Sequence, residues 1–228
     1  MIKNISNLGD AALYCDFGSK VNKKINLNVI DYFNSLSKFI KENKDCGINN
    51  ITPSYNKLIV SFDLSKTSYA EISNVVQNLK IIGDTQNKQK KIKIPICCDN
   101  EFGLDFKRLL DKTKLSKEKI LDLYLNKDYF CYMTGFIAGM PFLGDINENI
   151  RCNRLETPRV KVPKGSVGIA EQFANIYTFE SPGGWNIIGK TPLKIFDQSN
   201  LDEPVLIKVG DEVNFYQISK EEYINWDE

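Results

Sequence analysis

The sequence predicts an α+β protein of two small domains, the first combining helices with a small sheet and the second mainly β. A chain of 228 residues with 42% apolar residues is long enough for two modest cores. Apolar residues recur at helical spacing early in the chain, whereas short strand-like runs between Gly, Pro, Asn and Asp dominate from Tyr129 onward. The polar segment 83–91 is the expected joint, which gives domains 1–88 and 89–228.

The first domain is predicted to follow the order βαββα. Ser68 and Glu71 have the spacing of a capping box in front of its second helix. The turn of a hairpin is expected at 53–56. The predicted elements are a strand over 11–17, a helix over 29–40, a hairpin of 47–53 and 57–64, and a helix over 69–79.

The second domain is predicted to open with a strand over 92–97 and two short helices, and to continue as a β-barrel or sandwich. The helices are expected over 103–112 and 116–126, with Ser116 as the cap of the second. Many short strands separated by turn residues are typical of such folds. The predicted strands are 129–136, 166–171, 175–179, 185–191, 193–196, 205–209 and 212–216.

The charge balance argues against nucleic acid and anionic membranes as partners. The 30 basic and 29 acidic residues nearly cancel, so no global field attracts a polyanion. No stretch approaches the roughly 18 apolar residues of a spanning helix, and the start has no signal-peptide pattern. The chain is therefore expected to be cytoplasmic.

The chain has no histidine, which restricts the chemistry it can perform alone. Ser-His and Cys-His nucleophile pairs are excluded, so Ser166 and Ser181 have no histidine to activate them. The six cysteines form no C-x-x-C pair, and no metal site is predicted. Catalysis would need carboxylates, lysine, tyrosine or substrate phosphate, which favours an active site shared with another chain.

One segment matches a phosphate-binding expression without its structural context. Residues 184–191 fit G-x-x-x-x-G-K-[ST], which binds phosphate only between a strand and a helix. The bulky strand formers inside the match and Pro192 after it argue against a helix beginning at Lys190. We predict a strand leading into a turn.

Candidate binding groups concentrate in the second domain. The run 151–164 carries five basic residues against one acid, and guanidinium groups can fork to carboxylate or phosphate. A solvated strand face is the alternative for this run. A pocket-lining loop and a tight turn both fit 180–185. The candidates are Arg159 and Lys161 for anions, Ser166, Ser181, Gly183, Gly184 and Trp185 for substrate or nucleotide, and Asp105 and Glu180 as acid, base or magnesium ligand, with a helix cap also open for Asp105.

Three ordered blocks carry a family resemblance. They are 135–144 (GFIAGMPFLG), 157–170 (TPRVKVPKGSVGIA) and 180–192 (ESPGGWNIIGKTP). In order and spacing the chain resembles the family of KipI, allophanate hydrolase subunit 1 and the B subunit of 5-oxoprolinase (PxpB). The resemblance covers nearly the whole chain, since it extends upstream through Ile94-Pro95 and 102–105.

The resemblance implies a ferredoxin-like N-terminal domain, a cyclophilin-like β-barrel and an enzyme of several subunits. It implies a 5-oxoprolinase, which opens 5-oxo-L-proline to L-glutamate at the expense of ATP, with Mg as the counter-ion. The implied partners are a homologous C subunit of the KipA / allophanate hydrolase subunit 2 type and an A subunit of the LamB/YcsF type. The alternatives are a KipI-like inhibitor of a sporulation histidine kinase and a carboxyltransferase or allophanate-hydrolase component of urea metabolism.

The sequence departs from the family pattern at three places. Tyr124 stands where histidine is usual, Ala138 replaces a proline, and 171–175 reads EQFAN where glycine and later Thr-Gly are usual. We expect these changes to touch the cleft. The cleft itself is predicted on the face formed by 135–144, 157–170 and 180–185.

Overall fold

The structure, a computed structural model, describes residues 1–83 and 89–227. Its contacts divide the chain into two compact units, Met1–Gln89 and Lys90–Glu228. Most of the predicted joint, residues 84–88, lies outside the described residues.

Unit 1 is a four-stranded antiparallel sheet with two helices, and its strand order is β1-β2-β4-β3. Its elements are β1 (Asn4–Asn7), β2 (Ala12–Asp16), α1 (Lys23–Glu42), β3 (Ile48–Ser54), β4 (Lys57–Phe62) and α2 (Tyr69–Gln77). The predicted order βαββα is present, preceded by a strand that the sequence did not indicate. The capping box of Ser68 and Glu71 is confirmed.

The core of unit 1 follows from the two periodicities of its sequence. Leu58, Val60 and Phe62 alternate with less buried residues along β4, so one face of the sheet is apolar. Leu36 of α1 and Val76 of α2 belong to the same buried cluster. Each lies on the apolar face of its helix, where apolar residues recur every three to four positions. Burying these two faces against each other gives the unit its own core.

Unit 2 is built around a closed barrel of seven strands in the order β10-β7-β6-β13-β5-β12-β9. A two-stranded ribbon, β8 with β11, is a separate sheet. The strands are β5 (Lys91–Cys97), β6 (Asp128–Thr134), β7 (Pro141–Gly144), β8 (Arg159–Val162), β9 (Ser166–Ala170), β10 (Phe173–Ile176), β11 (Ser181–Gly183), β12 (Asn186–Lys190) and β13 (Glu212–Ile218). The helices are α3 (Phe106–Thr113), α4 (Lys117–Leu125) and α5 (Lys220–Ile224), with a 3-10 turn at Glu148–Ile150.

The observed fold is a mixed α and β protein with a closed barrel, as the α+β prediction required. In the described part of unit 1, no strand follows α2, and β1 takes the sheet edge beside β2. The finer names, ferredoxin-like and cyclophilin-like, go beyond these observations and stay predictions.

Two predicted strands are wrong. Residues 193–196 and 205–209 form no regular strand, and only an isolated bridge joins Phe196 to Val205. Pro192 and Pro204 precede the two runs and lack the N–H that a strand ladder needs. Their apolar side chains instead fill the core, where Ile195 and Ile207 are buried.

The expectation that Tyr124 lies in a cleft is also wrong. Tyr124 is fully buried on α4 and its ring packs against those of Tyr129 and Phe215, with centroids 5.2 Å away in both cases. Its backbone carbonyl accepts a 2.6 Å hydrogen bond from the Tyr129 hydroxyl. The Tyr124 ring follows the helical apolar face into the core of unit 2, where its hydroxyl is buried without a hydrogen-bond partner among the described residues.

Candidate functional site

The ribbon of β8 and β11 brings two of the predicted blocks together. Gly183 pairs with Arg159 and Ser181 pairs with Val162, with an irregular register between them. The Phe142 ring, from the remaining block 135–144, meets the Trp185 ring edge to face at 5.7 Å. These contacts place residues of 135–144, 157–170 and 180–185 in one neighbourhood.

Asp105 is the centre of this neighbourhood. Its Oδ1 accepts a 2.6 Å hydrogen bond from Nη2 of Arg159, and its Oδ2 accepts one of 2.6 Å from the backbone N–H of Ile187. The Asp105 N–H in turn donates to the Ile187 carbonyl at 3.0 Å. Asp105 stands at the N-cap position of α3, yet its side chain makes no cap hydrogen bond. The carboxylate therefore joins β12 to β8 instead of capping the helix.

Arg159 has a further donor that is not used. The Arg159 side chain is 28% exposed, so the cluster reaches the surface there, while the Asp105 side chain is 6% exposed. The Nη1 atom of Arg159 is buried and has no hydrogen-bond partner, and the same holds for Oγ of Ser181. A buried donor without a partner is unfavourable, so a water molecule or ligand group that accepts from either atom would be stabilising.

Tyr177 contributes a third polar group. A side-chain carbon at Gly183 would come within 2.1 Å of the Tyr177 hydroxyl, so this hydroxyl occupies the space beside the glycine. Burial raises the pKa of the Tyr177 phenol, against the opposing effect of contacts with Asn175 and Trp185 and of nearby arginine charges. The phenol therefore stays protonated at neutral pH and keeps a hydrogen to donate.

Two further arginines hold this neighbourhood and make it positive. Arg108 donates to the Asn186 side chain and, at 3.2 Å, to the Asn153 carbonyl. The Arg154 guanidinium lies 5.4 Å from the centre of the Trp185 ring. These contacts are with uncharged groups, so both positive charges remain to attract an anion.

The sequence prediction missed three residues of this neighbourhood: Arg108, Asn186 and Tyr177. Arg108 belongs to the short helix α3, Asn186 opens the barrel strand β12, and Tyr177 directly follows β10. Asn186 directly follows the candidate Trp185, whereas neither Arg108 nor Tyr177 stands beside a candidate in the sequence. Only the folded barrel brings them together.

The other predicted residues lie at the edge of this cluster or beyond it. The Lys161 ammonium pairs with Glu180 at 2.9 Å, and their side chains are 74% and 55% exposed. Ser166 is buried at the start of β9, where its carbonyl accepts from the Tyr177 N–H. The Gly184 carbonyl accepts from the Leu155 N–H at 2.7 Å, and this contact holds the basic run to the ribbon.

The phosphate-binding expression at 184–191 has the structure that was predicted for it. Asn186–Lys190 is strand β12, and the residues after it form no helix. The Lys190 ammonium lies 6.0 Å from the centre of the Phe102 ring. Over the described residues, no group of three or more Cys, Asp or Glu side chains is placed to hold a metal ion, and no helix is long and apolar enough to cross a membrane.

The sequence of this chain is similar to a known family over most of its length. Residues 3–207 match the family described as carboxyltransferase domain, subdomain C and D. The 5-oxoprolinase B subunit of Bacillus subtilis is 33% identical over 96% of this chain and 94% of its own length. The chain belongs to this family. The resemblance to KipI, allophanate hydrolase subunit 1 and the B subunit of 5-oxoprolinase is thereby confirmed.

Solved structures extend the comparison of the fold. The chain TTHA0988 is 25% identical with a TM-score of 0.78, and the match covers 92% of this chain but 40% of that one. The urea carboxylase of Kluyveromyces lactis is 16% identical with a TM-score of 0.75, over 96% of this chain and 22% of that one. This protein therefore spans less than half of these two solved chains, and its fold recurs in them as part of a longer polypeptide.

Proposed function

We propose that this protein is the B subunit of an ATP-dependent 5-oxoprolinase, which converts 5-oxo-L-proline, ATP and water to L-glutamate, ADP and phosphate. The observation that carries the proposal is the 33% identity to a 5-oxoprolinase B subunit over nearly the full length of both chains. An identity that spans both units supports a shared role more strongly than a shared fold does.

In this proposal the cluster around Asp105 and Arg159 binds an anionic group, and the chemistry is completed by other subunits. Phosphorylation of the lactam oxygen by ATP would make it a good leaving group, so the protein needs mainly to position and neutralise charge. A chain without histidine can supply this through Arg159 and hydroxyl donors. The proposed partners are a homologous C subunit and a LamB/YcsF-type A subunit, with ATP and its Mg counter-ion in a shared site.

The test is reconstitution of the enzyme from separately purified subunits. We expect this chain alone to form no glutamate from 5-oxo-L-proline and ATP, and the mixture with both companion subunits to form it. Omitting each subunit in turn is the matched control. Robust ATP-dependent turnover by this chain alone would contradict the division of labour, and an inactive full mixture would contradict the proposed function.

A carboxyltransferase component of urea metabolism is the second candidate. The family description favours it, and the Kluyveromyces lactis urea carboxylase shares the fold. That fold match is 16% identical in sequence and speaks for the scaffold alone. Urea- and bicarbonate-dependent ATP hydrolysis by the reconstituted complex, in the absence of 5-oxo-L-proline turnover, would favour this second candidate.

A further inference from the structure

We propose that the cluster of Arg159, Ser181 and Tyr177 binds the carboxylate of a small substrate rather than the phosphates of a nucleotide. This inference rests on the proposed function, because it assigns one part of that reaction to this site. It begins from two donors of the described structure, Nη1 of Arg159 and Oγ of Ser181, that are buried and have no hydrogen-bond partner.

These donors lie on one short ribbon. Arg159 is paired directly with Gly183, and Ser181 is two residues away on the same strand, a separation of about 6.6 Å along a β-strand. The Tyr177 hydroxyl lies against Gly183. The ribbon therefore supplies one guanidinium nitrogen and one hydroxyl group from neighbouring positions, and Tyr177 adds a second hydroxyl that packs against it.

The charge of the cluster suits an anion of low charge. Asp105 already balances the single positive charge of Arg159 and fixes its orientation through a 2.6 Å contact. What remains positive nearby is Arg154 and Arg108, the second of which is bound to uncharged acceptors. A carboxylate has two oxygens, and a guanidinium edge with a hydroxyl satisfies both.

The glycine-rich loop does not offer the donors that a polyphosphate needs. Phosphate sites in loops use a row of free backbone N–H groups or a helix N-terminus. Ser181–Gly183 is a strand that pairs with β8, and residues 186–190 form a barrel strand that pairs with β9. The backbone groups that form these pairings are already used, and neither segment opens a helix, so we assign ligand recognition to the side-chain donors.

The space beside Gly183 is already filled by the Tyr177 side chain. A methyl group there would come within 2.1 Å of the Tyr177 oxygen, so the ribbon and the phenol are already in contact. Both orphan donor atoms are closed to solvent. The ligand reaches them past the partly exposed Arg159 side chain, as a compact group such as a carboxylate would.

The test separates the two substrates of the reconstituted enzyme. We expect Arg159→Leu to raise the KM for 5-oxo-L-proline by about ten- to a hundredfold and Ser181→Ala to raise it by about three- to tenfold. The KM for ATP should stay within about twofold of wild type in both variants. A rise in the KM for ATP of the same size, or no rise in either constant, would overturn the inference.

Ser181→Ala also distinguishes a ligand group from a structural one. Removing a buried hydroxyl that has no partner should leave the thermal stability of the chain unchanged or raise it, while substrate binding weakens. A loss of stability that accounts for the loss of binding would contradict a role in recognition.

If the wild-type mixture has no 5-oxoprolinase activity, the proposed function fails, but carboxylate binding at this cluster can still be tested. The full chain is then titrated in a calorimeter with 5-oxo-L-proline, L-glutamate and inorganic phosphate as probes. Binding of a carboxylate that Arg159→Leu abolishes would support the inference. No carboxylate binding, or tighter binding of inorganic phosphate, would overturn it.

Discussion

Strand β8 carries two basic residues only two positions apart, and their ion pairs differ in burial and in the hydrogen bonds around them. Arg159 meets Asp105 at 2.6 Å with side chains 28% and 6% exposed, whereas Lys161 meets Glu180 at 2.9 Å with side chains 74% and 55% exposed. Asp105 also accepts from the Ile187 N–H, and this second bond ties the first pair to the barrel.

A basic run in a sequence therefore does not identify which of its side chains forms a buried ion pair and which stays in solvent. A solvated pair competes with water at each end and contributes little, while a buried carboxylate must have its partners. The hydrogen bond and charge of Glu180 raise the pKa of Lys161, so that pair is real but remains in solvent. Predictions that separate the two pairs therefore test the assignment.

The largest effect is expected for Asp105→Asn. The amide has one acceptor oxygen for two donors, Arg159 and the Ile187 N–H, so one buried group loses its partner. We expect a loss of about 2 to 4 kcal/mol in the free energy of unfolding. Both tryptophans, Trp185 and Trp226, lie in unit 2, so tryptophan fluorescence during urea unfolding reports on this unit.

Glu180→Gln is the matched control for that variant. It removes one carboxylate from an ion pair of the same ribbon but leaves no buried group unpaired, so no resolvable change in the unfolding midpoint is expected. Equal losses for the two variants would show that burial does not separate the pairs.

An intermediate effect is expected at two adjacent glycines. A side-chain carbon at Gly183 would come within 2.1 Å of the Tyr177 hydroxyl, whereas one at Gly184 would come no closer than 3.6 Å to its neighbours. Gly183→Ala should therefore reduce the free energy of unfolding by about 1 to 3 kcal/mol through overpacking. Gly184→Ala should be tolerated, and a Gly184→Ala loss as large as that of Gly183→Ala would contradict this geometry.

The smallest effect is expected for the exposed pair. Lys161→Ala, Glu180→Ala and the double variant should unfold at urea midpoints that agree within the error of the measurement. High salt should remove whatever coupling a double-mutant cycle detects at low salt, because exposed charges are screened. Coupling that persists at high salt would mean that this pair is shielded from solvent.

The sequence predicted the parts of the fold that local rules control. The capping box at Ser68 and the cap at Ser116 are both present, because each depends on a side chain and a backbone N–H three residues on. The strand formers within 184–191 likewise argued correctly against a phosphate loop, since this segment forms β12. Periodicity failed at 193–196 and 205–209, where apolar residues are buried without joining a sheet.

The candidate site could be predicted only in part, because its residues lie far apart in the sequence. Arg159 and Asp105 were each named, but 54 residues separate them and nothing in either segment indicates that they pair. Tyr177 was missed because it follows a barrel strand that is largely apolar, and its relation to Gly183 arises only when β11 folds beside it. Side chains from distant parts of one unit meet through the barrel closure, which no local pattern encodes.

Whether the buried cluster of Arg159 recognises the substrate is measured most directly by comparing two arginines of the same basic run in the reconstituted enzyme. Arg159 belongs to the buried cluster, while Arg151 is exposed and donates to the Ile146 carbonyl at 3.3 Å. We predict that Arg159→Leu lowers kcat/KM for 5-oxo-L-proline by about ten- to a hundredfold and that Arg151→Leu leaves it within about twofold of wild type. Equal kcat/KM values for both variants, measured with folded protein verified by tryptophan fluorescence, would contradict the account.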